Sequence, residues 1–280
     1  MSTYSHDINR VLNQPHTHDH VTEEGEHIVS TDVQLSDIPR WLKGGWEDMA
    51  RAPGITLFYG SVMALAVYAV YFFFQTNPIH MFTIATLAVM MSPFLATGLY
   101  YTAQKLEQGE KPSLVSSMVS WKVNAGDIGL FAAVLGVITA AWATFTPLLA
   151  AIVVQSHGLL IVDPSLGVAG FLLSEAGLSF MVYFSLLAVA LTAFVFTISV
   201  VTIPLLLKDT NIGAVQAMII SFKIAMENKG VMAVWAMVIG LLVAVGIFSL
   251  GLGMFIVMPL LGYASWHAFN DLVKIVPAEK

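Results

Sequence analysis

Residues 52–104 read APGITLFYGSVMALAVYAVYFFFQTNPIHMFTIATLAVMMSPFLATGLYYTAQ, a run without a single Asp, Glu, Lys or Arg. About 20 helical residues cross a hydrocarbon core of roughly 30 Å, so the run is long enough for two crossings. Gln75-Thr76-Asn77-Pro78 divides it, which places spans near Ile55 to Phe74 and Ile79 to Tyr101. The same reading places a second pair near Ile128 to Val154 and Phe180 to Leu207, separated by Gln155 to Ser179. The charge-free run from Gly230 to Asn270 is about twice one span, and Ser249-Leu250-Gly251-Leu252-Gly253 supplies its turn. Six spans result.

Composition agrees with this solvent. Hydrophobic residues make up 57% of the chain and charged residues 11%, against roughly 25% charged in a soluble domain, so there are too few charges to build a soluble surface. The positions of the basic residues fix an orientation. Of the 12 Lys and Arg, four precede span one, three lie between spans two and three, three between spans four and five, and two follow span six. The three opposite loops hold none. The expected protein is an all-α, multi-pass protein of the bacterial cytoplasmic (inner) membrane, with the N-terminus and the C-terminus in the cytoplasm.

Three amphipathic segments suggest three helical hairpins, each preceded by a cytoplasmic interfacial helix. In Ile38 to Ala52 one face carries Ile38, Leu42, Trp46 and Met49, opposite Lys43, Glu47, Asp48 and Arg51. In Ile212 to Asn228 the stripe is Ile212, Val215, Ile219, Phe222 and Met226; Ser113 to Asn124, with Met118 and Trp121, is a shorter version. The second span of each hairpin holds a proline followed by two apolar residues, Pro93-Phe94-Leu95, Pro204-Leu205-Leu206 and Pro259-Leu260-Leu261. Within Gln155 to Ser179, the stretch Ser165 to Ser174 is apolar but too short to span, and it is expected to form a short helix at the outer leaflet with Asp163 and Glu175 near water.

The chain divides into residues 1–37, a membrane body at 38–273 and a cytoplasmic C-terminal tail at 274–280. The first part holds seven acidic residues, one arginine and five of the eight histidines. Such a stretch offers little apolar surface to offset its ordering entropy, and the expectation is a disordered tail. Its acidity, on a body whose charges cancel, argues against nucleic acid as a partner.

Three stretches resemble a known family: RWLKGGWEDMARAPGITLFYG (Arg40 to Gly60), SPFLATGLYYTAQKLEQGEKP (Ser92 to Pro112) and MPLLGYASWHAFNDLV (Met258 to Val273). They are similar to a bacterial integral-membrane family catalogued as domain of unknown function 2189, some members of which are labelled cytochrome c oxidase subunits. The resemblance runs from Ile38 to Val273. It implies membrane location and an association with respiratory oxidases, and it carries no catalytic residues.

Chemistry is harder to find. The spans lack Asp, Glu, Lys and Arg in their interiors, which disfavours ion-coupled transport. A pore lined by Thr139, Thr144, Thr146, Thr192, Thr197, Ser199 and Thr202 would be open to a small neutral solute, although such hydroxyls more often bond their own helix. Small residues recur at helix-contact spacing, as Gly136, Ala140 and Thr144 and as Ala236, Gly240 and Ala244. Cysteine is absent, and no nucleotide loop, metalloprotease histidine pair or G-x-S-x-G nucleophile is present.

Histidine offers the remaining ligands. His16, His18 and His20 alternate in the N-terminal part beside Asp19, a pattern that can hold a divalent metal loosely. His267, one turn from Tyr263 and Asp271, can serve as a haem ligand, a proton carrier or a structural hydrogen-bonder. His80 and His157, with Asp163 and Glu175, fall near the outer surface. The expectation is no catalytic residue, no cofactor and no functional metal. It favours an accessory or assembly subunit of a respiratory, cytochrome oxidase type complex in the lipid bilayer, over a solute facilitator and over an intramembrane enzyme.

Overall fold

The computed structural model describes residues 17–22, 25–156, 167–209 and 211–276. Asp37–Arg51 is helix α1, with Asp37 in its first turn and Arg51 in its last, both signs favourable to the helix dipole. Pro53, at the first position of α2 (Pro53–Phe74), ends one helix and pre-forms the next. Pro78 does the same for α3 (Pro78–Met90). The chain then breaks around Pro93 into α4 (Ser92–Leu95) and α5 (Thr97–Glu107).

Beyond a turn come α6 (Leu114–Met118), whose cap Ser113 accepts from Ser116 N–H, and a 3-10 turn at Ser120–Asn124. Helix α7 (Ala125–Ser156) holds Pro147, and α8 (Gly167–Leu173) is short. Helices α9 (Glu175–Ser199), α10 (Thr202–Lys208), α11 (Ala214–Glu227), α12 (Lys229–Phe248) and α13 (Met254–Leu272) complete the body.

Among the described residues four stretches are long and apolar enough to cross a membrane: Pro53–Phe74, Ser120–Val153, Glu175–Lys208 and Lys229–Phe248. The other two expected crossings are less regular for physical reasons. At 13 residues α3 is roughly 20 Å long, and the segment continues only through the breaks flanking Pro93. Helix α13 ends in the polar set His267, Asn270 and Asp271, and α1 and α2 pack along it. It is the hub of one helix group that also takes in α5 and α12, while α7 contacts α3, α9 and α11.

Glycine sets how closely that hub is approached. A Cβ on Gly45 of α1 would stand 2.8 Å from both Ala264 N and Leu260 O, so the two helices touch backbone to backbone there. Gly60 of α2 meets the Phe255 backbone in the same way.

The amphipathic segments are helical, but the α1 face that is buried differs from the expected stripe. Ile38, Trp41, Gly45 and Asp48 are buried, and Trp46 is exposed. Asp48, expected on the solvent side, is only 3% exposed because its carboxylate meets partners on α13 and on its own helix. Of the expected stripe at α11, Val215, Ile219, Phe222 and Met226 are uncovered, as a face that lies on lipid would be, while Ile212, just before the helix, is buried.

Residues 17–31 depart most from expectation. Two parts of the expected disordered tail form β1 (Thr17–Val21) and β2 (His27–Thr31), and β2 pairs antiparallel with β3 (Val273–Val276), which straddles the expected boundary between the membrane body and the C-terminal tail. Ile28 and Val29, on opposite faces of the central strand, are both fully buried. The acidic and histidine side chains pair rather than repel. Ser30 Oγ donates to Glu227 at 2.6 Å, His20 lies 3.2 Å from the same carboxylate, and Val33 N–H donates to Asn228 Oδ1 at 2.9 Å. The sheet is thereby fastened to the α11–α12 junction.

Candidate functional site

Five residues of α13, Tyr263, Trp266, His267, Asn270 and Asp271, fall at spacings of three and four and so share one side of that helix. Across from them α1 presents Trp41, Gly44, Gly45 and Asp48, again at helical spacing. Gly44 leaves room for the imidazole, since a Cβ there would stand 2.8 Å from His267 Nε2.

The polar groups pair across this contact. His267 Nε2 lies 2.9 Å from Asp48 Oδ2, and Arg51 Nη1 donates to Asp48 Oδ1 at 3.3 Å. Asp271 Oδ2 accepts from the buried indole of Trp41 at 2.6 Å and from Arg40 Nη2 at 2.7 Å. At the end of α5, Glu107 Oε2 accepts from Trp266 Nε1 and from Asn270 Nδ2, each at 3.0 Å. Lys208, closing α10, donates to Asn270 Oδ1 at 3.1 Å and lies over the rings of Trp266 and Phe269. Tyr263, a turn deeper, meets Thr56 of α2 at 3.3 Å.

These groups surround a cavity of about 330 Å³. Two guanidiniums and three carboxylates line it, with His267 between them. Among the described residues the lining offers no side-chain hydroxyl or thiol beside the His267–Asp48 pair. The arrangement can bind a small charged or zwitterionic group, and it ties α1, α5 and α13 together.

His267, expected as a haem ligand, a proton carrier or a structural hydrogen-bonder, thus stands in an assembly drawn from α1, α2, α5, α10 and α13. Tyr263 and Asp271 take part, but through other partners than His267. Asp48, Glu107, Arg40 and Arg51 are site residues that the sequence does not single out; the consecutive glycines Gly44-Gly45 inside a helix are its sign of a close neighbour.

The other sequence candidates are dispersed. His18 lies 3.6 Å from Asp32, His20 against Glu227 and His27 2.7 Å from Asp19. His80 is exposed. His16, His157 and Asp163 lie outside the described residues. Among the described residues no three His, Asp or Glu side chains are grouped to hold a metal ion.

Each pore-lining hydroxyl candidate donates to a backbone carbonyl three or four residues back: Thr139 to Gly136 O, Thr144 to Ala140 O, Thr146 to Trp142 O and Thr192 to Ala188 O. Thr197, Ser199 and Thr202 donate to Phe194 O, Val195 O and Ile198 O. The helix carbonyl is the nearest acceptor for a hydroxyl surrounded by apolar groups. A second cavity, of about 270 Å³, is largely apolar and lies between α2, the Pro93 break and the 3-10 turn, with Tyr59 OH 3.2 Å from Ser117 Oγ.

Residues 81–208 match a family model described as "Predicted integral membrane protein (DUF2189)". Of the three stretches that suggested this family, Ser92 to Pro112 lies inside the match. No curated protein and no solved structure matches the chain.

Proposed function

We propose that this chain, an integral membrane protein by its family match and its apolar helices, is a non-catalytic accessory or assembly subunit that works by lateral contact with a larger membrane complex. One observation carries the reading. The rows Gly136, Ala140, Thr144 and Ala236, Gly240, Ala244 are not spent inside the chain, for a Cβ added at Gly136 or Gly240 would meet nothing within 4 Å. Burial within the chain reaches only 11% of the span window in α2 and 17% in α12. In lipid, where apolar surface alone gives no reason for helices to associate, small residues on an open face let a second backbone come close.

The partner class, a respiratory complex of cytochrome oxidase type, rests on the resemblance of the sequence to a family with members so labelled. The test is purification in mild detergent. Gly240→Leu and Gly136→Leu should abolish retention of a partner while leaving the melting curve unchanged, and deletion of the protein should lower assembled oxidase in membranes. Normal oxidase levels with no co-purifying respiratory subunit would overturn the reading.

The proposal includes six crossings with both termini cytoplasmic in a bacterial inner membrane. It is supported by the convergence, at one end of the helices, of α1, Glu107, Lys208 and the polar end of α13, all of which the basic residues assign to one side. Cysteines introduced at Asn77, Ser165 and Ser249 should react with an impermeant thiol reagent in intact cells, and cysteines at Ser113 and Asn211 should not. The reverse pattern would invert the orientation.

A further inference from the structure

Arg51 lies two residues before Pro53, where the charge-free helix α2 begins. The cavity it lines therefore sits at the depth where hydrocarbon gives way to lipid headgroups. Its charges nearly balance, two guanidiniums against three carboxylates, with His267 beside them. Neither a simple anion nor a simple cation matches such a lining, because each would be repelled by half of it.

Hydrogen-bonding capacity is left over on both sides. Among the described residues Arg40 is engaged through Nη2 alone and Arg51 through Nη1 alone, although a guanidinium offers five N–H donors in a fork that suits phosphate. Asp271 and Glu107 accept through Oδ2 and Oε2, and among the described residues Asp271 Oδ1 and Glu107 Oε1 accept nothing. A volume of about 330 Å³ admits a headgroup without its chains.

We infer that this cavity binds the zwitterionic headgroup of an aminophospholipid, with the phosphate on Arg40 and Arg51 and the ammonium on Glu107 and Asp271. The primary ammonium matters, because a trimethylated nitrogen has no N–H to give the free carboxylate oxygens. A net-negative headgroup gains from the arginines but meets the carboxylates without compensation. The inference is independent of the lateral-contact reading above.

The experiment is native mass spectrometry of the full chain released from vesicles containing phosphatidylethanolamine, phosphatidylcholine and phosphatidylglycerol with identical acyl chains. Phosphatidylethanolamine should be retained about tenfold over each of the others, the size expected for one charge-assisted hydrogen bond. Arg51→Gln, which removes an exposed side chain holding one 3.3 Å contact, should lower that retention about tenfold with an unchanged melting curve. Glu107→Gln should erase the preference over phosphatidylcholine, and Arg40→Gln serves if either variant does not fold. Equal retention of the three lipids, preference for phosphatidylglycerol, or no response to Arg51→Gln and Arg40→Gln would overturn the site. Displacement by soluble glycerophosphoethanolamine as effectively as by the lipid would overturn the lipid assignment.

Discussion

Gly60→Ala should unfold the α2–α13 contact, lowering stability by about 3 kcal/mol or more and leaving little monodisperse protein after detergent extraction. The new methyl would overlap the Phe255 carbonyl oxygen and stand 2.8 Å from Phe255 Cα. Both obstacles are backbone, so no side chain can swing aside and one whole helix has to move. The change also removes a glycine from a helix, which by itself favours folding by up to about 1 kcal/mol. The steric term must exceed that gain for the prediction to hold. Gly129→Ala in α7 is the control, because its Cβ would meet nothing within 4 Å. It should melt at the wild-type temperature or slightly above. Equal melting of the two variants, followed by circular dichroism, would refute the close contact.

Ile28→Ala should cost about 2–5 kcal/mol, the usual range for truncating a fully buried Ile. Ile28 has no exposed surface, and it belongs to the continuous apolar core although it lies in an acidic, histidine-containing segment. A disordered tail would give no change at all, so the measurement separates two pictures by several kcal/mol. The exposed Val21, the last residue of β1 before the turn into β2, supplies the comparison; Val21→Ala should be nearly silent.

These two positions mark what a linear reading can and cannot see. Apolar runs, the break at Gln75 to Pro78 and the amphipathic segments are local signals, and helices stand in those stretches, although the expected span Ile79 to Tyr101 is broken at Met91 and Ala96. The short helix α8 likewise falls inside the stretch Ser165 to Ser174. The strand His27–Thr31 has only two strongly apolar residues, and its partner Val273–Val276 is nearly the whole chain away. A composition averaged over 37 residues conceals it. Asp48 was misplaced for a related reason. Helical periodicity puts it beside Lys43, Glu47 and Arg51, and His267, brought over by α13, adds to Arg51 the second partner that makes its burial tolerable. The cavity combines side chains from α1, α5 and α13, so no single window of sequence contains it.

The pairing of β2 with β3 also sets a schedule for biosynthesis. His27–Thr31 leaves the ribosome early and Val273–Val276 only after the last helix. At roughly 5–20 residues per second the intervening chain takes on the order of tens of seconds to make. During that interval one edge of β2 has no strand to bind, while helices are already being delivered to the bilayer. Closing the sheet is then an event that must await the helices in between, and a product truncated before Val273 would expose that edge to quality-control proteases or to a neighbouring copy.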